Sequence, residues 1–144
     1  MPFQFQINTA AFSVGVVACL LAMSAQAAPN YRCTIEKRIN ASPELQAIQM
    51  AQEKAYIGKR FMVERKTGII TGALQNAFTS EPDIVDSGSD NSAYKVVSII
   101  KADEAHIYGS NIYALTINEH ASASQKPFAF LENAVVYMGQ CEHV

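Results

Sequence analysis

The chain has 144 residues, 49% of them hydrophobic and 17% charged, with a formal net charge of -2. That is the size of one domain with enough apolar content for a modest core. The charge balance speaks against a nucleic-acid binder, which needs a concentrated basic surface, and no repeat or low-complexity tract marks an internal boundary.

No Asp, Glu, Lys or Arg precedes Arg32. Within that segment the apolar run Ala10–Met23 is short for a membrane span, and Ala25 and Ala27 form the small-x-small pattern of a signal-peptidase site. The expectation is a signal peptide over 1–27 and a mature domain over 28–144. The domain would be periplasmic or secreted, with no stable membrane span after cleavage. Met1–Thr9 lacks the positive charge typical of such signals, so a retained anchor stays open, as does lipidation at Cys19. Cleavage would remove Cys19 and leave Cys33 and Cys141 in an oxidising compartment, where they are expected to pair; two buried free thiols are the alternative.

In Tyr31–Ile39, Tyr31, Cys33, Ile35 and Lys37 alternate with Arg32, Thr34, Glu36 and Arg38, the pattern of a strand packed on one face. Ser42 offers an N-cap and Pro43 a first helical residue. Leu45, Ile48, Ala51 and Ala55 then recur at helical spacing up to Gly58, which predicts one short amphipathic helix. Phe61–Gly72 reads as the hairpin around which the rest is organised: two amphipathic strands joined through Lys66-Thr67-Gly68. A hairpin alone does not stay folded in water, so the remaining strands must cover it.

Asp83–Val85 is a possible short strand, followed by an exposed loop from Asp86 to Asn91. Tyr94–Lys101 is the most apolar candidate and reads as a central strand buried on both faces. Ile107-Tyr108 is a possible pairing segment, Ile112–Asn118 a further strand, and His120–Lys126 a polar linker. The last hairpin runs Pro127–Leu131, turns at Glu132-Asn133 and returns through Ala134–Cys141. The predicted fold is mainly β, a small barrel or sandwich of about seven or eight antiparallel strands with one short helix. Arg32–Lys66 is net basic and Glu81–Glu142 net acidic. Segregated strands would make a dipole, and interleaved ones a mixed solvated surface.

Chemistry-bearing residues are sparse. His106, His120 and His143 with Asp103, Glu104, Glu119 and Glu142 have no metal-motif spacing, and the adjacent pairs Glu119-His120 and Glu142-His143 point to opposite faces of a strand. Ser87 and Ser89 do not form a nucleophile elbow. No catalytic residue, metal or cofactor is expected. The candidate binding residues are Asp86, Ser87, Ser89, Asp90 and Tyr94, polar loop chemistry on a rigid sheet, with ordinary turn geometry as the competing reading. Tyr108, Tyr113, Phe128, Phe130 and Tyr137 would either line a pocket for an apolar ligand or form core.

Tyr31-Arg32-Cys33, Ser87-Gly88-Ser89 with Tyr94, and the late Cys141 resemble the motifs of bacterial periplasmic inhibitors of C-type lysozyme, small disulfide-tied β-barrels. The overall plan is also similar to small exported β-domains of Gram-negative bacteria. The likeness is confined to these residues; Asp90 stands where the inhibitor loop has glycine, and Tyr94 falls one place late. The resemblance implies that Ser87, Ser89 and Tyr94 would enter the lysozyme cleft. The expected activity is therefore binding to a protein partner, with an apolar-ligand carrier as the alternative.

Overall fold

The computed structural model describes residues 30–41, 51, 53–75, 82–101 and 109–144. Eight strands appear among them: β1 (Tyr31–Asn40), β2 (Arg60–Val63), β3 (Ile70–Gly72), β4 (Asp83–Ser89), β5 (Ser92–Ile100), β6 (Asn111–Ile117), β7 (Lys126–Glu132) and β8 (Val135–His143). All pair antiparallel in one sheet of order β3-β2-β1-β8-β7-β6-β5-β4, which curls into a half-barrel and does not divide into a sandwich. The leader with its cleavage site, the beginning of the expected helix and Ile107-Tyr108 lie outside the described residues. The helix's last turn, 53–56, is helical, and Gly58 follows it with φ of 77°. Among the described residues no helix is long and apolar enough to cross a membrane.

Period-2 alternation sends one side of β1, β2, β5, β6, β7 and β8 into the concave face. Tyr31, Cys33 and Ile35 of β1 meet Phe61 and Val63 of β2, Tyr94 and Val96 of β5, Leu115 and Ile117 of β6, Phe128 and Phe130 of β7, and Tyr137 and Cys141 of β8 there. Phe61 and Phe128 touch edge to face, with centroids 5.1 Å apart. The central hairpin forms as read, with Phe61 opposite Gly72 and Gly68 at φ 77° in its loop.

Three expectations need correction. β5 lies next to the edge strand instead of at the centre, and only one of its faces is buried; Ile99 is 62% exposed. Apolar residues on both faces of a strand do not by themselves bring a second layer to cover it. The loop expected from Asp86 is strand through Ser89, continuous with Asp83–Val85, and the chain turns only at Asp90-Asn91. Polar residues are tolerated there because β4 is an edge. Finally, the alternation of β1 breaks at a bulge between Ile35 and Lys37, so Lys37 faces out and Arg38 is buried, its guanidinium 5.7 Å from the centre of the Tyr137 ring.

Cys33 and Cys141 form the expected disulfide and sit directly opposite each other in the β1–β8 ladder, 108 positions apart in sequence. Because the bridge closes a long loop in the unfolded chain, replacing both cysteines with serine should cost about 2–4 kcal/mol. The loss should appear as a lower urea midpoint, with an m-value no smaller than that of the wild type because the unbridged unfolded chain exposes more surface. Equal midpoints would mean that the bridge adds nothing to the ladder.

The charges interleave. Arg32 on β1 pairs with Glu142 on β8 at 2.8 Å, and Arg65 with Glu119 at 3.0 Å, so basic residues of the first half meet acidic residues of the second.

Candidate functional site

The two sheet edges, β3 and β4, are not joined by a ladder. At one end of the half-barrel, hydrogen bonds across the gap converge on Arg65. Arg65, in the β2–β3 loop, donates from Nε and Nη2 to the Ser87 carbonyl of β4 at 3.2 and 2.8 Å, and from Nη2 to the Gly88 carbonyl at 3.2 Å. Its own carbonyl accepts the Tyr94 hydroxyl at 3.1 Å. The planar fork of arginine suits this task, since it holds several acceptors at fixed angles.

What fixes Arg65 is Glu119, in the turn after β6. Glu119 is 8% exposed and accepts from Arg65 Nη1 at 3.0 Å, from the Tyr31 hydroxyl, and from His143 Nε2 at 3.1 Å. The guanidinium also lies 5.5 Å from the centre of the Tyr31 ring. Burial disfavours the Glu119 carboxylate, but the hydrogen bonds from Tyr31 and His143 and the charges of His143 and Arg65 outweigh it and hold the group below its ordinary range. Burial, with Glu119 beside it, raises the Tyr31 phenol, and burial pushes Tyr94 up to about 12. β4 approaches this cluster closely at Gly88, whose φ is 72°; a Cβ there would stand 2.8 Å from Glu119 Cγ.

Above the cluster is a cleft of about 950 Å³, flanked by Ser89 and Asp90 at the β4–β5 tip and by the 122–126 segment. Lys126 Nζ donates to the carbonyls of Glu119, at 2.9 Å, and Ala121, which ties that segment to the same floor.

The candidate binding residues divide accordingly. Asp86 is half-exposed and spends its carboxylate inside the hairpin: Oδ1 accepts from the Gly88 amide at 2.9 Å and the Ser92 hydroxyl at 3.1 Å, while Oδ2 faces Lys95 at 3.4 Å. The Gly88 amide, helped by Ser92 and Lys95, lowers its pKa against a smaller opposing effect of burial. Ser89 Oγ lies 3.0 Å from Ser92 Oγ and accepts the Asn91 amide at 3.2 Å. Ser87 is exposed, and its carbonyl accepts from Arg65. Asp90 is exposed at the tip, and its side chain has no polar partner among the described residues. Tyr94 is fully buried, packed against Tyr31 at 5.2 Å between ring centroids, and therefore belongs to the core and not to a contact surface.

Sequence reasoning missed Tyr31, Arg65, Glu119 and His143 as a group. Glu119 and His143 do meet, each with a partner from the other adjacent pair, because the turn after β6 and the end of β8 reach the same end of the half-barrel. No spacing along the chain signals this. Among the described residues no cluster of three or more His, Cys, Asp or Glu side chains could hold a metal.

Fold and cluster together define a disulfide-tied, curled antiparallel sheet with a fixed polar floor at one mouth. Compared with family models, curated proteins and solved structures, the chain matches none.

Proposed function

We propose that the chain is an exported binding domain without catalytic activity, which engages a protein partner at the polar mouth through the β4–β5 tip and the facing 122–125 segment. Inhibition of a C-type lysozyme is its sharpest form. The observation that carries the reading is the pairing of exposed polar loops with a fixed base: Ser89, Asp90 and residues 122–125 are all exposed, whereas Glu119 beneath them is buried and multiply bonded. Such a surface is ordered before the partner arrives, which reduces the cost of binding. The Cys33–Cys141 bridge supports export, as it suits an oxidising compartment.

The test is titration of a C-type lysozyme with the wild-type protein and with Ser89→Ala/Asp90→Ala. The wild type should bind and inhibit. The double variant should bind at least about tenfold more weakly, a change of roughly 1.4 kcal/mol, with an almost unchanged melting temperature. Lysozyme activity that is indifferent to an excess of the wild type would overturn the inhibitor reading. An affinity unmoved by the double substitution would overturn the assignment to this mouth. Tyr94 is unsuitable as a probe, because truncating it would remove core packing as well.

A further inference from the structure

The unpaired seam has a second half. Beyond the Arg65 bridge, β3, β5 and Pro82, just before β4, flank a cavity of about 240 Å³ inside the half-barrel, its apolar wall made by Ile70, Leu74, Val96, Leu115 and Phe130. The β2–β3 loop bounds it where Gly68 packs on Val96, and the stacked Tyr113 and Phe130 rings, 29° apart in plane, make one wall flat. Among the described residues no charged side chain lines it. Ser98 is on the same inward face of β5 as Tyr94 and Val96, and its hydroxyl has no hydrogen-bond partner among the described residues.

We propose that this cavity is a binding site for a small, neutral, mostly flat apolar molecule carrying one hydrogen-bonding group, which Ser98 receives. Volume sets the size. An apolar cavity of about 150 Å³ accommodates benzene, and drug-sized ligands occupy about 300 Å³ or more, so the fitting class lies between one ring and a drug. Lining sets the charge, because among the described residues the polar groups that would face an ion here, Thr71, Gln75, Ser98 and Tyr113, are all neutral and would not balance its charge. Packing supplies the drive: well-packed interiors hold few voids larger than a water molecule, and the walls of an unfilled one forgo their dispersion contacts. Among the described residues no ladder joins the two edges, which leaves the seam as the route in. Of the aromatic residues singled out from the sequence, Tyr113 and Phe130 line this cavity, whereas Phe128 and Tyr137 are buried core.

The experiment titrates the disulfide-bonded protein with 2-naphthol and, separately, with naphthalene, following methyl and amide resonances. The expected result is saturable, one-to-one shifts centred on Ile70, Val96 and Leu115. Ser98→Ala, a mild change at a half-buried position, should weaken 2-naphthol and leave naphthalene unchanged. Leu115→Phe should weaken both by about tenfold or more while keeping a folded spectrum; should that variant not fold, the wild-type shift map and the Ser98 comparison decide. Absence of saturable shifts at those methyls would overturn the site. So would contacts of the chain's own side chains with the Leu115 methyls that fill the space in the ligand-free protein. Equal loss of both probes on Ser98→Ala, or loss of neither, would overturn the role given to that hydroxyl.

Discussion

Replacing Glu119 with alanine should cost about 3–5 kcal/mol, the range for removing one partner from a buried ion pair. The Arg65 side chain is only 15% exposed and would lose the carboxylate that faces its Nη1. Tyr31, fully buried, would lose the acceptor of its hydroxyl, and His143 Nε2 its partner at 3.1 Å. Because Arg65 is also what joins the β2–β3 loop to β4, its release should loosen the seam as well as the cluster. Hydrogen exchange would show this as early opening of β4 and of 64–69 relative to β7 and β8. A Glu119→Ala protein as stable as the wild type would mean that the network contributes nothing net.

The same carboxylate predicts a pH dependence whose sign follows from its direction of shift. Its pKa is lowered on folding, so its contribution is complete above the unfolded value near ~4.3 and is lost as pH falls through the lower folded value. Asp86 acts in the same direction at the hairpin surface. Urea midpoints taken from neutral pH down to about pH 2 should therefore fall in the acid range, less steeply in Glu119→Gln and less again when Asp86→Asn is added. Identical slopes in the wild type and Glu119→Gln would remove Glu119 from the acid response.

The second large effect is expected at Gly139. It pairs with Ile35 at the edge of the β1 bulge, and a Cβ added there would fall well inside contact distance of the Thr34 carbonyl oxygen, with Glu36 N and Phe128 Cε1 each 3.0 Å away. The closest obstruction is main chain, which cannot swing aside as a side chain would. Gly139→Ala should thus exceed the roughly 1–3 kcal/mol usual for overpacking, and should do so by separating β1 from β8 at the bulge. The measurement is the urea midpoint of the disulfide-bonded variant, together with exchange protection along β1. A loss below about 1 kcal/mol would show that the bulge relaxes at little cost.

These two residues also mark what was legible in the sequence. The strands, the central hairpin and the disulfide follow from period-2 alternation, turn residues and the cysteine count, all of which act locally or depend on compartment. The bulge does not follow from them, although a lone glycine in a strand, as at Gly139, is its usual sign. Missing it placed Lys37 inward and Arg38 outward, the reverse of the fold, because one extra residue flips every side chain beyond it. Composition alone ends β4 too early, because Asp86, Ser87 and Ser89 are turn formers, yet an edge strand accepts them. The Glu119 cluster was illegible for a different reason. Tyr31, Arg65, Glu119 and His143 come from four separate places in the chain, and only the strand order brings them to one mouth.

The pairing of β1 with β8 also determines how the domain would carry load. Val144 N donates to the Asn30 carbonyl at 2.9 Å, so the chain enters and leaves the sheet at neighbouring points on adjacent antiparallel strands. Tension applied there would peel the ladder one rung at a time, the weak mode for such a pair, because the hydrogen bonds lie perpendicular to the strands and are stressed singly. The peeling would halt within a few residues, at Cys33–Cys141. The rungs lost before that stop are Tyr31–His143 and Arg32–Glu142, so tension would draw Tyr31 and His143 away from Glu119 and open the mouth, while the force bypasses the rest of the sheet through the bridge.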